Sequence, residues 1–115
     1  MNIGKTGEIG ENKVASFLRK NNFSIVKRNF VCKYGEIDII AQNDEYILFV
    51  EVKTRKQDSL VSGSEAVDVF KQNRIRLTAE DYIVKTRCEL QPRFDVAEVT
   101  VIEGKYKLRY IENAF

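Results

Sequence analysis

The run Tyr46-Ile47-Leu48-Phe49-Val50-Glu51-Val52 constrains the fold most strongly. It is the most apolar, β-rich stretch of the chain, and an apolar run without alternation predicts a strand covered on both faces. We therefore place residues 46–54 at the centre of a sheet. Two further strands precede it: 24–31, with Ile25, Val26, Phe30 and Val31, and 35–42, with Ile37, Ile39 and Ile40. Asn43, Asp44 and Glu45 form a polar turn between the second and third strands.

Helices bracket these strands. Ile9, Val14, Phe17 and Leu18 recur near helical spacing and predict a helix over 7–21, stopped at Asn21 and Asn22. After a polar loop at 57–64, Ser62 and Glu65 stand as a capping box for a helix over about 64–86. Its expected buried stripe is Ala66, Val67, Phe70, Ile75, Ala79, Tyr82 and Ile83. Pro92 marks a break, 93–102 reads as a fourth strand, and Gly104-Lys105 turn the chain into a fifth at 106–112. The order α-β-β-β-α-β-β predicts an α/β fold, with an antiparallel meander of three strands, a helical crossover and a mixed sheet flanked by helices. The 115 residues fit a single domain, 1–115.

Composition narrows the chemistry. The chain has no histidine, which removes imidazole bases and the usual Ser-His and Cys-His arrangements. Cys32 and Cys88 are too few for a structural zinc site and read as two reduced thiols. No apolar run approaches the roughly 18 residues of a membrane helix, and Met1–Glu11 has no apolar leader core, so we expect a cytoplasmic protein without membrane association. A net charge of +2 does not by itself declare a nucleic-acid binder.

One constellation carries chemistry. If 35–42 and 46–54 form a hairpin with a two-residue loop at 44–45, or a four-residue loop at 43–46, Asp38 stands opposite Glu51. Opposed side chains lie about 5 Å apart at Cβ, and Lys53 falls on the Glu51 face roughly 7 Å further along. Two opposed carboxylates repel unless a cation sits between them, and Mg²⁺ takes one or two carboxylates plus waters and substrate phosphate. Such a cation polarises a phosphoryl oxygen and acidifies a bound water, and an ammonium beside it stabilises developing charge. The competing reading is a set of solvated strand-end charges.

The pattern extends along the chain. Gly7-Glu8-Ile9-Gly10-Glu11 with Ala15, Arg28-Asn29-Phe30, Gly35-Glu36-Ile37-Asp38-Ile39-Ile40, Phe49-Val50-Glu51-Val52-Lys53-Thr54-Arg55, Lys71 with Arg74-Ile75, Ala79 and Tyr82, and Arg93-Phe94-Asp95-Val96 together resemble the YraN family of small bacterial proteins. That family is assigned to the PD-(D/E)XK nuclease-like superfamily and is similar to the archaeal Holliday-junction resolvases. The resemblance implies a restriction-endonuclease-like core, with Asp38 and Glu51 matching metal-binding acids and Lys53 the catalytic lysine. It further implies Glu11 and the Val52 carbonyl as metal ligands, Mg²⁺ or Mn²⁺ as cofactor, and products with 5′-phosphate and 3′-hydroxyl ends. Ile37 stands where the superfamily's name has a proline.

Further charges bear on a partner. Arg55 and Lys56 extend the presumed active edge beyond Lys53, Lys71, Arg74 and Arg76 lie on the long helix, and Lys27, Arg28 and Lys33 surround the first hairpin. If they converge, Arg55, Lys56, Lys71 and Arg74 line a phosphate groove with salt-sensitive affinity. Arg93 and Asp95 bracket Phe94 and read as a salt bridge near a sheet end. The expectation is a metal-dependent endonuclease acting on DNA, in branched or structured form, with a homodimer admitted by analogy to the resolvases. The alternatives are a nucleic-acid-binding module of the same fold with little or no catalysis, and a protein-interaction domain.

Overall fold

The computed structural model describes residues 3–56 and 68–115. Helix α1 (Ile3–Lys20) is followed by strands β1 (Ser24–Cys32), β2 (Gly35–Gln42) and β3 (Tyr46–Lys56). Helix α2 (Val69–Thr86) then leads to β4 (Gln91–Ile102) and β5 (Lys105–Ile111). The five strands lie in the order β1-β2-β3-β4-β5, antiparallel throughout except for the parallel pair β3–β4. This is the expected α/β order, with α2 as the crossover between the parallel strands.

Local chemistry fixes the ends. α1 closes in a Schellman motif: Asn22 is left-handed (φ 69), Phe23 N–H reaches Leu18 O at 3.0 Å, and Asn22 N–H reaches Arg19 O at 3.1 Å. In the β2–β3 turn, Asn43 Oδ1 accepts from Glu45 N (2.9 Å) and Tyr46 N (2.7 Å), while Asn43 N–H donates to Tyr46 O (3.0 Å). That Asx turn leaves Asp44 and Glu45 as a two-residue loop, one of the two loops that set Asp38 opposite Glu51. The capping box at Ser62 and Glu65, and Ala66 and Val67 of the expected stripe, lie outside the described residues. α2 is capped by Asp68, whose side chain accepts from Lys71 N at 2.8 Å.

Two expectations need correction. Phe70 is 83% exposed, and the buried stripe of α2 is Ile75, Thr78 and Ala79, with Tyr82 and Ile83 partly buried. Five residues before Ile75 at about 100° each, Phe70 sits near the opposite face of the helix. Pro92 does not precede β4 but sits second in it, opposite Ile47. β5 pairs only with Val96–Ile102, so one edge of β4 is open at Pro92 and a missing N–H costs little there.

The core lies on both faces of the sheet, as the central placement of β3 requires. Val14, Ala15 and Leu18 of α1 pack on Ile39, Ala41, Leu48, Val50, Ala97 and Val99. Ile75 and Ala79 of α2 pack on Ile37, Ile40, Ile47, Phe49 and Val96. α1 approaches β3 closely at Gly10, where a Cβ would overlap Thr54 Oγ1 and press on Thr54 Cβ at 3.4 Å. What the glycine makes room for is a side chain. Gly10→Ala should therefore cost about 1–2 kcal/mol by overpacking, outweighing the helix-propensity gain of about 1 kcal/mol. In a Thr54→Ala background the same change should stabilise; urea titration of the four proteins checks the reversal of sign.

Candidate metal centre

The β2–β3 ladder runs from Gln42↔Ile47 to Ile39↔Val50 and stops there. The next opposed pair in that register is Asp38 and Glu51. Beyond it, β2 stays with β1 as far as Gly35 while β3 stays with β4 as far as Lys56, so the sheet opens into a cleft. The cleft, about 380 Å³, is lined by Gly35, Glu36, Asp38, Glu51, Val52, Lys71, Arg74 and Ile75.

Asp38 enters it sideways. Ile37 packs on the α2 face and Ile39 on the α1 face, so the strict alternation of β2 breaks between them. Across β1, the residue between the pairs Arg28↔Ile39 and Phe30↔Ile37 is Asn29, which is left-handed (φ 52). Turned toward β3, Asp38 Oδ2 accepts the Val52 N–H at 2.8 Å. A strand residue's N–H and C=O leave by the same edge, so the Val52 carbonyl also points to the cleft edge. Glu51 is 7% exposed, shares the α2 face with Phe49 and Ile47, and forms an ion pair with Lys71.

Asp38 and Glu51 face each other where the ladder ends, both lining the cleft. Burial first, then the Glu51 charge, and last the Glu11 charge push the Asp38 carboxyl up to about 8, against the pull of the Val52 N–H. This is the behaviour of two acids facing each other without a cation between them. The donors are hard oxygens. Among the described residues no three His, Cys, Asp or Glu side chains gather as an ion site. Two carboxylates and a backbone carbonyl fit Mg²⁺, which keeps several waters and needs one or two carboxylates.

The other predicted residues divide. Lys71 and Arg74 line the cleft. Lys53 follows Glu51 by two residues and so lies on its face of β3, outside the cleft lining, with Arg55 and Lys56 beyond it toward the strand end. Glu11 is not in this cleft. It lines a second one with Gly7, Glu8, Arg28 and Asn29, where its Oε1 accepts from Arg28 Nη2 (3.3 Å) and Asn29 Nδ2 (3.4 Å). Sequence reasoning passed over Glu36 as a site residue. The strand period of two from Asp38 points to it.

The raised Asp38 carboxyl predicts a pH dependence. Its ordinary value is 3.8, so the native protein holds a proton between about 4 and 8 that the unfolded chain has lost. Stability from this group is complete below that window and declines as pH rises through it. Asp38→Asn keeps a donor toward Glu51 and an acceptor for Val52 N–H but has no titrating proton. Relative to the variant, the wild type should lose about 3–4 kcal/mol between about pH 5 and about pH 8, read by urea titration at each pH.

Comparison with known proteins places the chain in a family. Residues 10–99 match the family model described as "Uncharacterised protein family UPF0102". A UPF0102 protein of Clostridium acetobutylicum is 44% identical across 96% of this chain and 93% of its own length. One from Clostridium botulinum (strain 657 / Type Ba4) is 42% identical across 95% and 92%, and one from Caldanaerobacter subterraneus subsp. tengcongensis is 42% identical across 100% and 98%. The match takes in α1 from Gly10 onward and all the strands that build the cleft, and this chain therefore belongs to the UPF0102 family, the YraN family that its motifs resemble.

Proposed function

We propose that this protein is a metal-dependent endonuclease that hydrolyses phosphodiester bonds in DNA, with branched or structured DNA as the preferred form. The observation that carries the reading is the meeting of Asp38 and Glu51 where the β2–β3 ladder ends. The two acids line one cleft there, and a hard cation between them would relieve their repulsion. Mg²⁺ or Mn²⁺, when bound, supplies a Lewis acid for a phosphate oxygen and an acidified water. Asp38, Glu51 and the Val52 carbonyl hold that ion. The Val52 N–H keeps Asp38 aimed across the gap at 2.8 Å. Lys53, one strand repeat beyond Glu51 on the same face of β3 and just outside the cleft lining, would reach in to stabilise the charge that develops on the phosphate. Lys71 and Arg74 place positive charge on the cleft wall for the DNA backbone. No helix among the described residues is long and apolar enough to cross a membrane.

The test is incubation of purified protein with four-way, flapped and linear DNA in Mg²⁺ or Mn²⁺, with chelator controls. Metal-dependent cleavage leaving 5′-phosphate and 3′-hydroxyl ends supports the reading. Binding without cleavage in either ion contradicts it and favours a nucleic-acid-binding module. RNA oligonucleotides in the same assay decide between the two nucleic acids.

A further inference from the structure

The ion pair between Lys71 and Glu51 needs an account of its own. Glu51 is buried, so its carboxylate requires a partner. That partner comes from the first turn of α2, where Asp68 holds the Lys71 N–H at 2.8 Å. The Lys71 side chain is 44% exposed and can leave Glu51 without unpacking the core. A divalent ion between Asp38 and Glu51 would draw on the carboxylate that the ammonium now uses, and two cations crowded on one carboxylate repel. On the reading of this cleft as a metal centre, we propose that Lys71 is the resident counter-ion of the metal-free protein, displaced from Glu51 by the divalent ion and thereby released to a substrate phosphate at the cleft mouth. Lys71 is then a phosphate-binding residue held in reserve by Glu51. It couples the arrival of the metal to the presentation of a cationic arm beside Arg74. A lysine suits this exchange because its charge is a compact point on a flexible four-carbon stem, whereas an arginine fork would grip Glu51 bidentately.

The exchange is tested without DNA or turnover by measuring Mn²⁺ affinity calorimetrically in the wild type, Lys71→Met and Arg74→Met. Lys71→Met removes the competitor and keeps the stem, so Mn²⁺ should bind roughly three- to tenfold more tightly. Arg74→Met removes an equal charge from the same cleft but not from Glu51, and its affinity should stay within about twofold of the wild type. Equal gains in both variants would assign the effect to the general field and overturn the proposal. Unchanged affinity in Lys71→Met would overturn it too, leaving the metal centre intact. If Mn²⁺ binds none of the three proteins, the metal reading itself fails and the proposal with it. In the wild type, the Lys71 Cε and Nζ resonances should shift with the midpoint of Mg²⁺ binding. Saturation with Mg²⁺ while those resonances stay fixed would overturn displacement directly.

Discussion

Asp38→Ala should lower metal-dependent DNA cleavage by about 10³–10⁴-fold, and Lys53→Ala by about 10²–10³-fold, in single-turnover assays with saturating Mg²⁺ or Mn²⁺. The two numbers differ because the residues do different work. Asp38 and Glu51 are the opposed carboxylates where the β2–β3 ladder ends, so loss of Asp38 weakens the hold on an ion while Lys71 competes for Glu51. Lys53 supplies charge stabilisation beside the reacting phosphate, and removal of a single preorganised donor costs the smaller factor. A drop in activity through unfolding is separable. Asp38→Ala deletes a carboxyl that burial and Glu51 already disfavour in its charged form, so the variant should unfold no earlier than the wild type at about pH 8. Glu36→Ala is the informative control. Glu36 lines the same cleft but forms no part of the Asp38–Glu51 pair, and its removal should cost less than about tenfold. Cleavage in Asp38→Ala within about threefold of the wild type would place the hydrolytic site elsewhere or in a contaminant.

The centre was readable in part because each determinant of the β2–β3 register is local. Asn43 announces an Asx turn, the turn leaves two loop residues, and the count back from Asp44 and Glu45 brings Asp38 to Glu51. The C-terminal end of α1 was readable for the same reason, since Asn22 takes up the left-handed position that closes it. The break at Asp38 was not readable. Strict alternation puts Ile37 and Ile39 on one face, whereas they pack on opposite faces, next to a left-handed Asn29 contributed by another strand. Without that break, Asp38 would not lie in the plane of the sheet to meet Val52 N–H. The Lys71–Glu51 pair is hidden by distance along the chain, because it depends on how the crossover helix lands on β3. Phe70 was misplaced because a weakly amphipathic helix admits more than one stripe from spacing alone. Glu11 entered through the resemblance, and Arg28 and Asn29 engage it in a cleft of its own.

Asp95→Ala should destabilise the protein by about 3–5 kcal/mol without altering any group of the metal centre, since Asp95 packs against the α1 side of the sheet. The sequence pairs Arg93 with Asp95, and the structure adds partners that spacing could not reveal. Asp95 is fully buried. Its Oδ1 accepts from Arg93 Nε at 3.1 Å and Asn113 N at 3.0 Å, and its Oδ2 accepts from Arg93 Nη2 at 3.0 Å and Tyr110 Oη at 2.6 Å. Burial first, and then the hydrogen bond to Asp95, push the Tyr110 hydroxyl up, so it remains a donor. One carboxylate thus joins β4, β5 and the segment after β5. Alanine would leave a guanidinium lodged over the rings of Phe23 and Tyr46 with only the exposed Glu112 carboxylate, 3.5 Å away, and two further donors unpaired. The guanidinium's lost buried partner is the larger part of the cost, which gives the test its second arm. In an Arg93→Met background the charge is already gone, and Asp95→Ala should cost about half as much as it does alone. Urea titrations of the four proteins measure both steps. Equal costs in the two backgrounds would mean that Asp95 acts through Tyr110 and Asn113 alone. A total cost below about 1 kcal/mol would mean that water replaces the carboxylate and that the cluster does not hold the sheet together.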